Sequence, residues 1–146
     1  MIVYLDTSAF VKLVIDEDGA EDVHRWFDVA SLATASVIAY AEACAALTRR
    51  ARQGGSTDAL TAWLAGVESR WAQMAHVRVD ERLAGGLAVR HGLRGMDAIH
   101  LAAATTVRER ARARSGSSSV AIATFDRELL EAAEHEGFAT LGGPTG

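Results

Sequence analysis

Apolar residues recur along this chain in two rhythms. Short runs rich in aliphatic and β-branched residues at 2–5, 32–35, 76–79, 120–124 and 138–141 have the length and composition of strands. Between them, apolar positions fall three and four apart, the spacing of a helix that buries one face. Ile2 to Leu5 ends at Asp6-Thr7-Ser8, whose short polar side chains suit a helix start, so a helix is expected from Thr7 to about Ile15. Asp16-Glu17-Asp18-Gly19 reads as a loop, and Val23, Trp26, Phe27 and Ala30 place a second helix over 20–30. Ser36 is expected to cap a long helix from Val37 to about Gln53, closed by Gly54-Gly55. Another from Thr57 to about Ala75 would pair with it as an αα-hairpin. Asp80 opens a helix ending near His91-Gly92, and Met96 to about Arg114 forms the next. Ser115 to Ser119 is read as a flexible loop, and Asp126 opens a last helix that Gly137 stops.

Strands and helices therefore alternate, which predicts an α/β fold: a parallel sheet covered by helices on both faces. No repeat or linker interrupts the 146 residues, which read as one domain, 1–146. With 49% hydrophobic residues and a single proline, the chain can bury a sizeable core. Its formal charge of -4 excludes holding nucleic acid by bulk electrostatics, so any such contact must be local. One cysteine, Cys44, can form neither an internal disulfide nor a thiolate zinc site and reads as an inert core residue; a cytoplasmic home is expected. The apolar start is interrupted by Asp6 and Lys12, and no segment is expected to span a bilayer.

The informative carboxylates are the isolated ones. Glu42 is the only charged residue in VIAYAEACAALT, and Asp97 is the only carboxylate in GMDAIHLAAATTV, which holds no Lys or Arg. Asp6 and Asp126 each lie just past the carboxyl end of an expected strand, the edge where open α/β sheets place ligands. Burying an unpaired carboxylate is costly, and no Lys or Arg adjoins Glu42; a bound cation would offset the charge. Four acids on one edge would make an all-oxygen site suited to Mg²⁺ or Mn²⁺ rather than zinc. Two such ions can activate a water and stabilise both oxygens of a phosphodiester displacement. Ser8 and Thr124, each two residues from an acid, would orient a carboxylate or a metal-bound water.

Each residue also has a structural alternative. Asp6 and Asp126 can be helix caps, and Asp97 a first-turn acid favoured by the helix dipole. Glu42, in mid-helix, has the weakest structural role. His100 reads as a core-edge histidine rather than a ligand, Arg108, Arg110, Arg112 and Arg114 as a solvated face, and Trp63 and Trp71 as a core or interface stripe.

Four stretches together carry a resemblance: Tyr4-Leu5-Asp6-Thr7-Ser8-Ala9 through Val11-Lys12-Leu13, Ser36 with Tyr40-Ala41-Glu42, Asp97-Ala98-Ile99-His100-Leu101-Ala102-Ala103-Ala104, and Ala123-Thr124-Phe125-Asp126. In order and spacing they resemble the PIN-domain ribonuclease toxins of the VapC family over essentially the whole chain. The resemblance implies a three-layer PIN-like fold with about five parallel strands and a carboxylate quartet of Asp6, Glu42, Asp97 and Asp126 that binds Mg²⁺ or Mn²⁺. It also implies metal-dependent endonucleolytic cleavage of structured RNA, a cognate antitoxin as inhibitor and a homodimer. Large apolar surface at Trp26, Phe27, Trp63 and Trp71 is expected to serve that dimer. Many relatives carry a basic residue soon after the helix glutamate, where this chain has Ala43-Cys44-Ala45-Ala46; Lys12, Arg49, Arg50 and Arg52 are then the candidate substrate contacts. A haloacid-dehalogenase-type phosphatase also begins with a strand ending in Asp, but it needs a second Asp where this chain has Ser8. A non-catalytic PIN-like binding module is the remaining alternative, disfavoured because all four acids are present.

Overall fold

The computed structural model describes residues 1–54, 56–116 and 119–144. Five parallel strands form one sheet: β1 (Ile2–Leu5), β2 (Leu32–Ser36), β3 (Ala75–Val77), β4 (Val120–Thr124) and β5 (Ala139–Gly142), in the order β3-β2-β1-β4-β5. The helices among the described residues are α1 (Thr7–Lys12), α2 (Ala20–Val29), α3 (Ile38–Gly54), α4 (Asp58–Trp71), α5 (Glu81–His91), α6 (Gly95–Ser115) and α7 (Arg127–His135). The chain steps from β1 to one side for β2 and β3, then crosses to the other for β4 and β5. The order therefore reverses between β1 and β4, and ligand crevices open at such switch points beyond the strands' carboxyl ends.

Strand residues alternate faces, so each strand feeds two cores. Tyr4, Val120 and Ile122 join Leu101, Val107 and Leu129 under α5, α6 and α7. Val3, Leu5 and Ala123 join Phe10, Leu47 and Val67 under α1 to α4. Small residues are buried where helices pack closely, Ala39 and Ala43 on α3, which lies on α1 and α4, and Ala102 to Ala104 on α6, which lies on the sheet. Trp26, Phe27, Trp63 and Trp71 are all partly buried against the second core. Trp71 lies against Phe10, Tyr40 and His76, and Trp26 stacks on Phe125. Part of each ring thus serves the chain's own fold, and the remainder stays accessible.

Several boundaries move. The first helix stops at Lys12 because Leu13 and Val14 bond back only three residues, to Phe10 and Val11, which tightens the last turn while Leu13 and Ile15 stay buried. The fourth helix ends at Trp71, short of Ala75, which instead starts β3. Ser36 is the last residue of β2; its hydroxyl accepts weakly from Ile38 N–H at 3.4 Å. Ser115 belongs to α6, and Ser117 and Ser118 of the expected loop, like Gly55 of the expected helix stop, lie outside the described residues. Two glycines are required by shape. At Gly19 (φ 86°) a Cβ would stand 2.7 Å from the Phe125 ring, and at Gly142 (φ 99°) 2.3 Å from the Thr124 carbonyl oxygen.

Candidate active site

Asp6 follows β1 and is 3% exposed, yet its carboxylate is well supplied with donors. Ser8 Oγ donates to Oδ1 at 2.6 Å, Ala9 N–H to the same oxygen at 2.9 Å, and Thr124 Oγ1 to Oδ2 at 2.6 Å. The Ala9 contact is the N-cap bond of α1, so capping and site geometry coincide in one residue. Both hydroxyls also accept, Ser8 from Phe125 N–H at 3.0 Å and Thr124 from Asp126 N–H at 3.1 Å. They therefore tie the end of β1 to the segment leaving β4. Asp126 caps α7 through Leu129 N–H at 2.9 Å.

Glu42, in the second turn of α3, is held by two partners far off in sequence. Thr7 Oγ1 donates to Oε1 at 2.6 Å, and His100 Nε2 lies 3.0 Å from the same oxygen. The direction of that second bond follows from the other side of the ring. Tyr4 OH accepts from Ser36 N–H at 3.2 Å and stands 2.8 Å from His100 Nδ1, so the phenol donates to Nδ1 and Nε2 is left to donate to Glu42. Burial, with the charges of Asp6 and Glu42 adding, raises the Tyr4 phenol well above its ordinary value and keeps its proton in place. Burial pushes the Glu42 carboxyl up, but the bonds from His100 and Thr7 outweigh it and hold the group below its ordinary value. His100 is the buried histidine expected of it, and it also touches the acid that lacked a neighbour in the sequence.

Asp97 stands in the first turn of α6 with no side-chain donor among the described residues. Burial and then the Asp126 charge push its carboxyl up to about 6; the His100 imidazole opposes them, while Asp6 and Glu128 add to the rise. Asp97 thus feels the charges of Asp126 and Asp6. Among the described residues no three His, Cys, Asp or Glu side chains lie close enough to enclose one ion together. The donor chemistry nevertheless fits a hard divalent cation: the carboxylates supply oxygen only, Asp97 lies under the charges of Asp126, Asp6 and Glu128, and Mg²⁺ characteristically takes one or two carboxylates and keeps several waters.

Sequence reading missed three contributors. Tyr4 and Thr7 stand in the N-terminal stretch that carries the resemblance without a site role of their own, and Glu128 is signalled only by its place two residues after Asp126. The basic candidates separate. Lys12 is almost buried, its Nζ donating to Glu17 Oε1 at 2.9 Å and to the Asp18 carbonyl at 2.7 Å, 4.6 Å from the Phe125 ring centroid. Arg50 pairs with the same Glu17. With those two engaged, Arg49 and Arg52 are the exposed candidates without an ion pair among the described residues. Arg108 departs from the solvated face expected of it: its guanidinium lies 3.8 Å from the Phe138 ring centroid and donates to the Glu136 carbonyl at 2.8 Å.

No helix among the described residues is long and apolar enough to cross a membrane. The chain is 37% identical over 144 residues to each of two Mycobacterium tuberculosis proteins, Ribonuclease VapC45 and Ribonuclease VapC49, covering 93% of this chain and 92% of each relative. In fold it is similar to Mycobacterium tuberculosis VapC20, a sarcin-ricin loop cleaving toxin, with a TM-score of 0.64 at 18% identity, covering 94% of this chain and 96% of that one. It is similar also to VapBC2 of Rickettsia felis, solved with a DNA fragment from their promoter, with a TM-score of 0.62 at 12% identity, covering 97% and 98%. The family model of the PIN domain matches residues 3–135. With that match and those relatives added to a five-stranded sheet whose switch point carries Asp6 and Asp126, the chain belongs to the PIN-domain family, in its VapC branch.

Proposed function

We propose that this protein is a divalent-cation-dependent endoribonuclease, the toxin of a toxin–antitoxin pair, built as one PIN unit that cuts structured RNA. The observation that carries the reading is Asp97. Its carboxyl is pushed up to about 6 by burial and by neighbouring acids, a repulsion that a bound cation and a substrate phosphate would relieve. The relatives named as ribonucleases point the same way.

Asp6, Glu42, Asp97 and Asp126 would hold Mg²⁺ or Mn²⁺. When bound, a pair of such ions supplies an activated water and charge stabilisation for the leaving oxygen. The chain's own groups set the geometry. Ser8 and Ala9 occupy both lone pairs of Asp6 Oδ1, and Thr124 occupies one on Oδ2, whose second is left for a ligand. Thr7 and His100 fasten Oε1 of Glu42 and leave Oε2 to face the ligand. Asp97 gives up its proton near neutrality, so its charge is available when an ion is. The partner is a cognate antitoxin, and an arginine is its best plug, because a guanidinium pairs with carboxylates bidentately. A homodimer is part of the same proposal.

The test is cleavage of a structured RNA hairpin by purified, partner-free chain with Mg²⁺, with Mn²⁺ and with excess chelator. Internal cuts that need the ion are expected. Full activity in chelator, with metal removal verified, would overturn the cation requirement, and no cleavage of any structured RNA would overturn the enzyme.

A further inference from the structure

On the α5, α6 and α7 face, a cavity of about 350 Å³ is walled by Arg82 and Arg90 from α5, Arg108 from α6, and Glu109 and Glu136. Arg90 also lines a second cavity, of about 440 Å³, with Glu128, Glu131, His91 and His135. Glu128 is the acid whose charge reaches Asp97. Arg90 lines both cavities, Glu128 follows Asp126 by two residues at the start of α7, and the balance of charge differs between the two. Near the acids, Glu128 and Glu131 face one arginine. At the far end three guanidiniums face Glu109 and Glu136, and Glu136 is already bridged by Arg90 at 2.7 Å and His91 at 2.6 Å.

We propose that the cavity walled by Arg82, Arg90 and Arg108 is a phosphate subsite for the RNA strand as it leaves the acid edge. The proposal rests on the ribonuclease reading and adds a substrate surface to it. A phosphate at the acid edge needs a metal ion as its counter-charge; the next phosphates along the strand need one from the protein, and this face supplies it. Arg108 is preorganised for the task. Its plane is held by Phe138 and by the Glu136 carbonyl, so it loses little freedom on binding. Arg82 is exposed, and the Arg90 side chain is 66% exposed even while paired. A set of arginines serving only stability would leave RNA affinity and its salt dependence unmoved.

The experiment measures binding of a fluorescein-labelled RNA hairpin to the full chain in Mg²⁺, in an Asp97→Asn background that prevents cutting, across a salt series. Arg82→Ala and Arg108→Ala are each expected to weaken binding by about 5- to 10-fold. Each should also reduce the slope of log affinity against log salt by roughly 0.7 to 0.9 for every phosphate the variant no longer neutralises. Arg25→Ala, on α2 and paired with Asp22, should change neither. Arg82→Glu, at an exposed position, keeps the test open if Arg108→Ala does not fold. RNA binding with unchanged affinity and slope in the Arg82 variants overturns the subsite alone, even if antitoxin binding is lost. Absence of RNA binding in the Asp97→Asn chain with its arginines intact, together with absence of RNA cleavage by the wild-type chain, overturns the ribonuclease reading and the subsite together.

Discussion

Glu42 and Asp97 stand on different helices at one edge of the sheet, and both are half-buried, yet their carboxyls move in opposite directions. Glu42 receives two hydrogen bonds from Thr7 and His100 and is held below its ordinary value. Asp97 receives none among the described residues, faces three other acids and is pushed up to about 6. Burial acts alike on the two, so donors and neighbouring charges decide the difference. One acid is pre-positioned by the protein, while the other is left for a ligand to stabilise.

The sharpest way to break this contrast is to remove each charge in turn. Asp97→Asn and Asp6→Asn are both expected to lower RNA cleavage by about 10³-fold, roughly 4 kcal/mol of barrier. They should differ in stability. Asp6→Asn sets an amide against the Ser8 and Thr124 hydroxyls and should cost about 1–3 kcal/mol in urea unfolding. Asp97→Asn relieves repulsion and should cost nothing at neutral pH without metal; equal losses from the two would dissolve the comparison.

A third half-hidden carboxylate, Glu17, extends the contrast because its partners are cations. Burial raises it, and Arg50 and Lys12 overcome that and hold it low. Glu17→Gln removes the counter-charge of the nearly buried Lys12 ammonium and leaves it only neutral acceptors and the Phe125 ring. The expected loss is about 2–3 kcal/mol in denaturant unfolding, with cleavage unchanged once the chain is folded.

His100→Gln and Tyr4→Phe probe the donor side. Removing a residue that orients a ligand usually costs about 10- to 100-fold in metal affinity. His100→Gln should show that loss for Mn²⁺ by calorimetry. Tyr4→Phe, which leaves Nδ1 and Ser36 N–H without the phenol, should show a smaller one. Unchanged Mn²⁺ affinity in both would reduce the network to packing.

The smallest expected effect is in pH. A folded pKa raised above the unfolded one means that the folded state binds more protons, so the Asp97 contribution is complete below about 4 and is lost as pH rises toward about 6. Glu42 has the opposite sign: its contribution is present above its ordinary value near 4.5 and is lost as pH falls through its lower folded value. Metal-free thermal melts should therefore decline by about 1 kcal/mol, a few degrees, between pH 4 and 6. Asp97→Asn should flatten that decline, and Mg²⁺ should offset it above pH 6. A slope left intact in Asp97→Asn would assign it elsewhere.

The alternating apolar runs, the capping acids and the isolation of Glu42 and Asp97 were legible in the amino-acid order, because periodicity and local hydrogen bonding act over a few residues. That reach covered the parallel sheet, its helices on both faces and the four acids at expected strand ends or on apolar helices. It did not cover the company those acids keep. Thr7 and Glu42 are 35 positions apart, His100 and Glu42 58, Tyr4 and His100 96, and Thr124 and Asp6 118. No local pattern encodes such pairs. They exist because β1 runs beside both β2 and β4, and because α3 and α6 cover opposite faces yet bring Glu42 and His100 together at the same edge. Local neighbours also need the packed chain to act: Glu17 and the Asp18 carbonyl, five and six residues on, hold the Lys12 ammonium once α1 ends early and Gly19 lets the chain pass Phe125. Residue type and spacing settled which groups carry charge; only the packed chain decided which of those charges are already answered and which still await a ligand.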